Sequence, residues 1–178
     1  MNYISIINKY YTPGTKLYHI LLTHSRSVAD KALSICKNHP ELNIDVQFVE
    51  EAAMLHDIGI FRTNAPGIEC YGDKPYICHG TIGAELLRNE GFPHHALVAE
   101  RHTGAGISHE EIIKQKLPIP LQDYLPISIE EQLICYADKF YSKTHLDREK
   151  TLEQARKSLI KFGQEGLKRF DYWSTLFG

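Results

Sequence analysis

Residues of metal-binding types occur in this sequence at positions where apolar side chains would be expected. They continue the apolar stripes of five predicted helices: His24, His56, His79, His102 and Asp138. A single histidine on such a stripe is more often a core residue that bonds a carbonyl group. An isolated aspartate in the interior is very costly unless it is paired or binds a metal. Because five separate coincidences are a poor explanation, we expect these residues to approach a shared divalent transition-metal ion.

The adjacent pair His56-Asp57 refines this expectation. Neighbouring helix residues point about 100° apart, so the two side chains cannot both face one ion squarely. They can flank a single cation, or the carboxylate can bridge two. A His-Asp pair alone is common by chance. Here Ile58-Gly59 follows at a predicted helix end, with a histidine one helix earlier and an aspartate several helices later, and this combination strengthens the case for a metal site.

Helices make up nearly all of the predicted structure that must position these residues. Apolar spacing, capping residues and Pro or Gly breaks predict helices over about 2–11, 15–38, 45–57, 79–90, 93–102, 128–143, 147–162 and 164–177, with another opening at Ser108. Residues 59–78 contain Pro66-Gly67 and Pro75, which predict a long loop. There is no alternating strand pattern, internal repeat or linker. The sequence therefore predicts one all-α domain over residues 1–178.

Composition limits the classes of function that need considering. Of the 178 residues, 43% are hydrophobic and 24% charged, which is typical of a globular protein and excludes fibrous and disordered classes. The net charge of −2 shows no basic footprint and argues against a nucleic-acid partner. It also implies that the charge of bound metal would have to attract an anionic substrate.

The sequence also indicates where the protein works. No stretch reaches the roughly 18 apolar residues of a membrane span, and we expect neither a membrane segment nor a signal peptide. The four cysteines form no Cys-x-x-Cys pair, which favours free thiols in a reducing cytoplasm.

The motifs together resemble a known family. His24, His56-Asp57-Ile58-Gly59 and Asp138 resemble the HD superfamily of metal-dependent phosphohydrolases, specifically its HDIG members. Further segments look like an HDIG family of bacteria and archaea: His79–Glu85, Glu100–Ile107 and Tyr136–Lys139. The order of these residues is also similar to the binuclear HD hydrolases of diadenosine tetraphosphate. The resemblance covers about 15–145, and it implies an HD-domain helical bundle with a C-terminal helical extension over 147–178 packed on it.

The resemblance implies a set of metal ligands. In that superfamily the first histidine, the His-Asp pair and the last aspartate bind one metal, which corresponds to His24, His56, Asp57 and Asp138 here. Two further histidines hold a second metal in the binuclear members, and these match His79 and His102, with the Asp57 carboxylate bridging. One or two divalent ions per chain are expected, drawn from Fe, Mn, Co, Ni, Mg or Zn.

The chemistry that the resemblance implies is hydrolysis of a phosphoester or phosphoanhydride. Two metals can activate a water and neutralise charge on a phosphoryl oxygen, so attack by a metal-bound hydroxide needs no serine or cysteine nucleophile. Asp57 is expected to bridge the metals and Asp138 to orient the nucleophile. Arg101 and Lys139 adjoin ligand positions and are candidates to contact the phosphate, although either could be an exposed solubilising side chain. The expected substrate is a nucleotide or another small phosphorylated metabolite.

Some positions depart from the related families. Thr103 stands where the cyclic-di-GMP phosphodiesterases of the superfamily have a second histidine, and their Gly-Tyr-Pro motif is absent, which argues against that substrate. Many HDIG proteins have a lysine after the glycine, whereas Ile60 and Phe61 follow here, and Arg62 is the nearest replacement.

Several alternatives stay open at this point. The same ligands serve diiron oxygenases of the HD fold, and a non-catalytic metal-dependent nucleotide sensor is a third hypothesis. The 59–78 loop is long enough to act as a lid that presents Tyr71, Lys74 and Tyr76, or it is an ordinary surface loop. The aromatic tail, with Phe170 and Trp173, is expected to pack on the core, and a partner groove or a homodimer contact is its alternative.

Overall fold

The computed structural model describes residues 1–178 and is built from nine α-helices. The helices are α1 Tyr3–Tyr10, α2 Lys16–Asn38, α3 Val46–Leu55, α4 His79–Asn89, α5 Pro93–Arg101, α6 His109–Gln115, α7 Ile129–Asp138, α8 Leu152–Ser158 and α9 Gln164–Phe177. Two short strands, β1 Asn64–Ala65 and β2 Cys70–Tyr71, pair antiparallel. This confirms the all-α fold. None of the helices combines the length and the apolar character that crossing a membrane requires.

The starts of several helices follow directly from side chains that cap them. The Thr15 side chain accepts a hydrogen bond from the Tyr18 amide at the start of α2, and Asp45 does the same for the Phe48 amide at the start of α3. Ser108 and Glu111 form a reciprocal capping box at α6, as predicted. These local bonds fix the ends of helices whose apolar faces then pack together.

Two apolar clusters of the core share the central helix α2. One apolar cluster joins α2 with α3, α7 and the C-terminal helices, and a second joins other residues of α2 with α1, α4 and α5. The aromatic tail joins the first cluster: Phe170, Trp173 and Phe177 are buried, and the Tyr136 ring lies 5.2 Å from the ring of Phe170. The expectation that the tail packs on the core is confirmed.

Three predicted boundaries or elements are wrong. The 59–78 loop contains the β1–β2 pair, which is too short to show a strand pattern in the sequence. The helix predicted to reach residue 143 ends at Asp138, because the amides of Lys139, Phe140 and Tyr141 bond carbonyls three residues back and tighten the last turn. The helix predicted over 147–162 is reduced to α8 and a short 3₁₀ turn at Ile160–Phe162.

Candidate metal centre

The ends of helices bring the six predicted metal ligands together. His24 lies in the middle of α2, whereas the other five stand at the ends of four helices: His56 and Asp57 just after α3, His79 as the first residue of α4, His102 just after α5 and Asp138 as the last residue of α7. All six side chains are buried or nearly so. They form two groups of possible ligands, and within each group the ligand atoms lie within 4.8 Å of one another.

Asp57 belongs to both groups and faces each with a different oxygen. Its Oδ2 lies 3.2 Å from His24 Nε2 and 3.0 Å from His56 Nε2, in the group that Asp138 completes. Its Oδ1 lies 3.5 Å from His79 Nε2 and 3.4 Å from His102 Nε2, in the second group. One carboxylate thus faces both groups, and each of its oxygens could bind a different cation.

Backbone carbonyls set the orientation of three histidines. Nδ1 of His56, His79 and His102 each lies 2.6–2.7 Å from the carbonyl oxygen of the residue three positions earlier. A carbonyl can only accept, so each Nδ1 donates its proton, which leaves Nε2 as the ring nitrogen that can bind a metal at the centre. Second-shell bonds of this kind are usual for metal-binding histidines.

The centre holds buried polar atoms that lack hydrogen-bond partners. His79 Nε2 and His102 Nε2 lie 3.0 Å apart, and their lone pairs face each other. His56 Nε2 and both oxygens of Asp57 are buried without a hydrogen-bond partner. Unpaired polar atoms in the interior are costly, and a divalent ion in each group would bind all of them. The residues therefore fit the two metal ions that the sequence predicts.

The charge states of two of the ligands, Asp57 and His79, suit the same ions. Burial raises the pKa of Asp57, but His56 and Lys143 outweigh it and hold that pKa well below its usual range. Burial, followed by the neighbouring His102, lowers the pKa of His79 to about 3. A bridging carboxylate that stays ionised and an imidazole that stays neutral are the forms that bind metals.

Lys143 is part of the centre and was missed by the sequence analysis. Its Nζ lies 2.6 Å from Asp57 Oδ2, in an ion pair that lacks hydrogen-bond alignment. Lys143 reaches this position because α7 ends at Asp138 and the chain turns back over the site. Helical periodicity gives no signal for it, since the predicted continuous helix would have carried Lys143 elsewhere.

The two predicted phosphate contacts behave differently. Lys139 Nζ donates to Asp138 Oδ2 at 2.7 Å and to the His102 carbonyl at 3.0 Å, so it lies at the centre. Arg101 instead donates to Glu131 at 2.9 Å and does not line the cavity over the metal ligands. The structure thus brings Lys139 to the site and leaves Arg101 outside it.

A cavity of about 470 Å³ opens over the ligands. His24, His79, His102 and Asp138 form its floor. The 59–78 loop contributes Tyr76, whose ring stacks on His79 with 4.5 Å between ring centres. Tyr71 and Lys74 of the same loop do not line the cavity, and neither does Arg62. The loop therefore walls the cavity, but of the predicted contacts only Tyr76 reaches it.

The central part of this chain matches a known domain family. The HD domain model matches residues 21–142. The uncharacterized protein MJ0778 of Methanocaldococcus jannaschii is 41% identical over 121 residues, which are 66% of this chain and 64% of that protein.

A tRNA (cytidine(56)-2'-O)-methyltransferase of Thermoplasma volcanium is 33% identical over 89% of this chain. The chain spans only 43% of that methyltransferase. The HD domain of the Listeria monocytogenes phosphodiesterase PgpH superposes with a TM-score of 0.54 at 15% identity, covering 95% of this chain and 93% of that one, which shows a shared fold.

Proposed function

The chain belongs to the HD domain family, and from this membership and the geometry of its metal centre we propose that it is a metal-dependent hydrolase of phosphoesters or phosphoanhydrides. The observation that carries the proposal is the Asp57 carboxylate, which faces a different group of ligands with each oxygen. The structural neighbour whose fold it shares is a phosphodiesterase, which supports the same class of reaction.

The ligands divide naturally between two divalent ions. His24, His56 and Asp138 would hold one ion, His79 and His102 the other, and Asp57 would hold both. When bound, such a pair of ions makes water a better nucleophile and neutralises charge on a phosphoryl oxygen. The remaining tasks fall to side chains of this chain.

Asp138 and the lysines beside it can orient the water and bind the phosphate. Asp138 Oδ1 lies 3.0 Å from His24 Nε2, while its Oδ2 accepts from Lys139, so the carboxylate is fixed and can orient a water for attack. Lys139 and Lys143 place two ammonium groups at the floor of the cavity, where they would bind phosphoryl oxygens and offset charge that develops on them.

The same lysines favour hydrolysis over the alternative of a diiron oxygenase. Ammonium groups beside a reacting phosphate lower the free energy of its anionic transition state, whereas activation of O₂ has no comparable need for them. The cavity also has the size of a site for a small metabolite, and we propose a nucleotide or similar phosphorylated compound as substrate. Methyl transfer is not part of the proposal, because the chain spans less than half of the methyltransferase.

The experiment that tests the proposal is a screen of phosphorylated metabolites for release of phosphate or nucleotide. The protein is supplied in turn with Mn²⁺, Fe²⁺, Co²⁺, Ni²⁺, Mg²⁺ and Zn²⁺. We expect metal-dependent turnover that continues without oxygen and falls at least about a hundredfold in Asp57→Asn. His19→Ala removes an exposed histidine outside the centre and serves as the matched control.

Two results would contradict the proposal. One is the absence of turnover on every phosphoester by metal-loaded protein. The other is turnover that survives Asp57→Asn. A strict requirement for O₂ would instead support the oxygenase, and tight nucleotide binding without turnover would support the sensor.

A further inference from the structure

The cavity over the metal centre is lined by cations that lie mostly beyond the HD domain match. Four lysines line it: Lys139, Lys143, Lys150 and Lys161. Three of them follow residue 142, where the match ends. Asp138 is the only acidic residue in the lining, with the Asp57 carboxylate buried beside it. The segment after the matched domain therefore turns one wall of the cavity strongly positive.

The positive charges of the cavity outnumber its negative charges, which favours binding of an anion. Asp57 and Asp138 offset only two of the four lysines, and they do so before any metal binds. Each divalent ion bound by these carboxylates adds positive charge that no other acidic group of the cavity offsets. A substrate with a single phosphate, which carries a charge of about −1.5 to −2 near neutral pH, is too small an anion to balance such a site.

Lys150 and Lys161 have no carboxylate partner within ion-pair distance. Lys150 Nζ is held by two backbone carbonyls, those of Lys139 at 3.1 Å and Tyr141 at 3.4 Å. Its ammonium group is thus fixed in place while its charge stays unpaired.

Lys161 lies in the 3₁₀ turn after α8, is exposed, and has its Nζ 5.0 Å from the ring centre of Phe162, which also lines the cavity. Other lysines of the C-terminal extension behave differently. Lys157 pairs with Glu153 at 2.8 Å and Lys168 with Glu165 at 2.7 Å, both away from the cavity. Within the extension, the unpaired lysines are thus the two that face the cavity.

We propose that Lys150 and Lys161 form a second anion subsite, and that the substrate carries a second phosphate group beyond the one that reacts at the metals. This inference rests on the proposed function, because it takes the metal end of the cavity as the reacting end. Lys139 and Lys143 serve the reacting phosphate, while Lys150 and Lys161 bind the second one. The C-terminal extension then acts as the part of the chain that selects the substrate.

The second phosphate can be joined directly to the first or separated from it by a sugar. Three ligands with the same adenosine group distinguish these sources: AMP, α,β-methylene-ADP with adjacent phosphorus atoms, and adenosine 3′,5′-bisphosphate with separated ones. Binding of each to Mn²⁺-loaded protein is measured by calorimetry, which reports affinity and does not require turnover. Lys161→Gln is the main variant because the side chain is exposed, and Lys114→Gln removes an exposed, unpaired lysine elsewhere as the control.

We expect at least one two-phosphate ligand to bind the wild type about tenfold more tightly than AMP. Lys161→Gln should remove most of that preference, Lys114→Gln should leave it, and Lys150→Gln should lower it if thermal denaturation shows the variant folded. Equal binding of all three ligands by the wild type, or an unchanged preference in Lys161→Gln, overturns the inference. Failure of the proposed function shows itself separately, as ligand binding with no phosphoester turned over.

Discussion

Gly59 leaves no room for a side chain beside the metal centre. Its φ of −85° is open to any residue, so its role is steric and not one of backbone conformation. A Cβ atom built on it would lie 2.2 Å from the carbonyl oxygen of His79 and 2.5 Å from the amide nitrogen of Gly83. The first turn of α4 therefore packs directly on the backbone that follows Asp57.

The variant Gly59→Ala would push α4 away from that backbone. The contact with the His79 carbonyl has to open by about 0.8 Å to reach the 3.0 Å below which Cβ contacts are essentially never found. Overpacking of this kind costs about 1–3 kcal/mol. For a chain of this size each kcal/mol lowers Tm by about 2–4 °C, so we expect a decrease of about 2–12 °C.

The displacement should also affect one metal more than the other. His79 is the first residue of α4 and belongs only to the second group of ligands, whereas His24, His56 and Asp138 lie on other elements. We therefore expect Gly59→Ala to weaken binding of the second ion and to retain the first.

Differential scanning fluorimetry and metal analysis of the purified variant test both expectations. Gly67→Ala is the matched control, because a Cβ at Gly67 meets nothing within 4 Å. The reasoning is refuted if Gly59→Ala melts at the same temperature as Gly67→Ala and holds both ions.

Three further predictions concern Asp57, Arg101 and Lys139. Metal at a hundred times its Kd should stabilise the wild type by about 2.7 kcal/mol per site, which corresponds to a rise in Tm of about 5–11 °C. A thermal titration of Asp57→Asn with the same metal should show almost no rise in Tm. Arg101→Gln should lower the free energy of unfolding by about 1–3 kcal/mol in chemical denaturation, because it leaves buried Glu131 without its cation. The KM of this variant should stay unchanged, because Arg101 does not contact the phosphate. Lys139→Gln should lower kcat at least about tenfold in steady-state kinetics with little loss of bound metal, and an unchanged kcat would remove Lys139 from the reacting end.

The sequence was sufficient for the parts of the fold that depend on local signals. Thr15 and Asp45 cap α2 and α3 through bonds within one turn, and the apolar stripes of those helices carry His24 and His56 to the core. A histidine that continues such a stripe can be placed from its spacing alone. The six predicted metal ligands also lie close together in the structure.

Other features depend on contacts between distant segments, which spacing does not contain. The Lys150 amide bonds the Phe140 carbonyl at 2.7 Å and ties down the chain where the predicted helix should have continued. That bond accompanies the turn that brings Lys143 to Asp57. Arg101 was predicted at the site but lies outside it, because its guanidinium donates to Glu131 on another helix and not into the cavity.

The charge of the whole chain was a poor guide to the charge of the site. A net charge of −2 suggested that metal ions alone would have to attract an anionic substrate. The fold instead gathers four lysines along one cavity with a single lining carboxylate. Local placement of charge, which decides the attraction of a ligand, depends on tertiary structure and not on composition.

The number of metal ions held by the purified, metal-saturated protein tests the central claim most directly. Inductively coupled plasma mass spectrometry should find two ions per chain in the wild type, one in His102→Ala, and almost none in Asp57→Asn, because only Asp57 serves both groups of ligands. The His19→Ala control should keep two. A wild type that holds no divalent ion, or an Asp57→Asn variant that still holds two, would contradict the bridged metal centre.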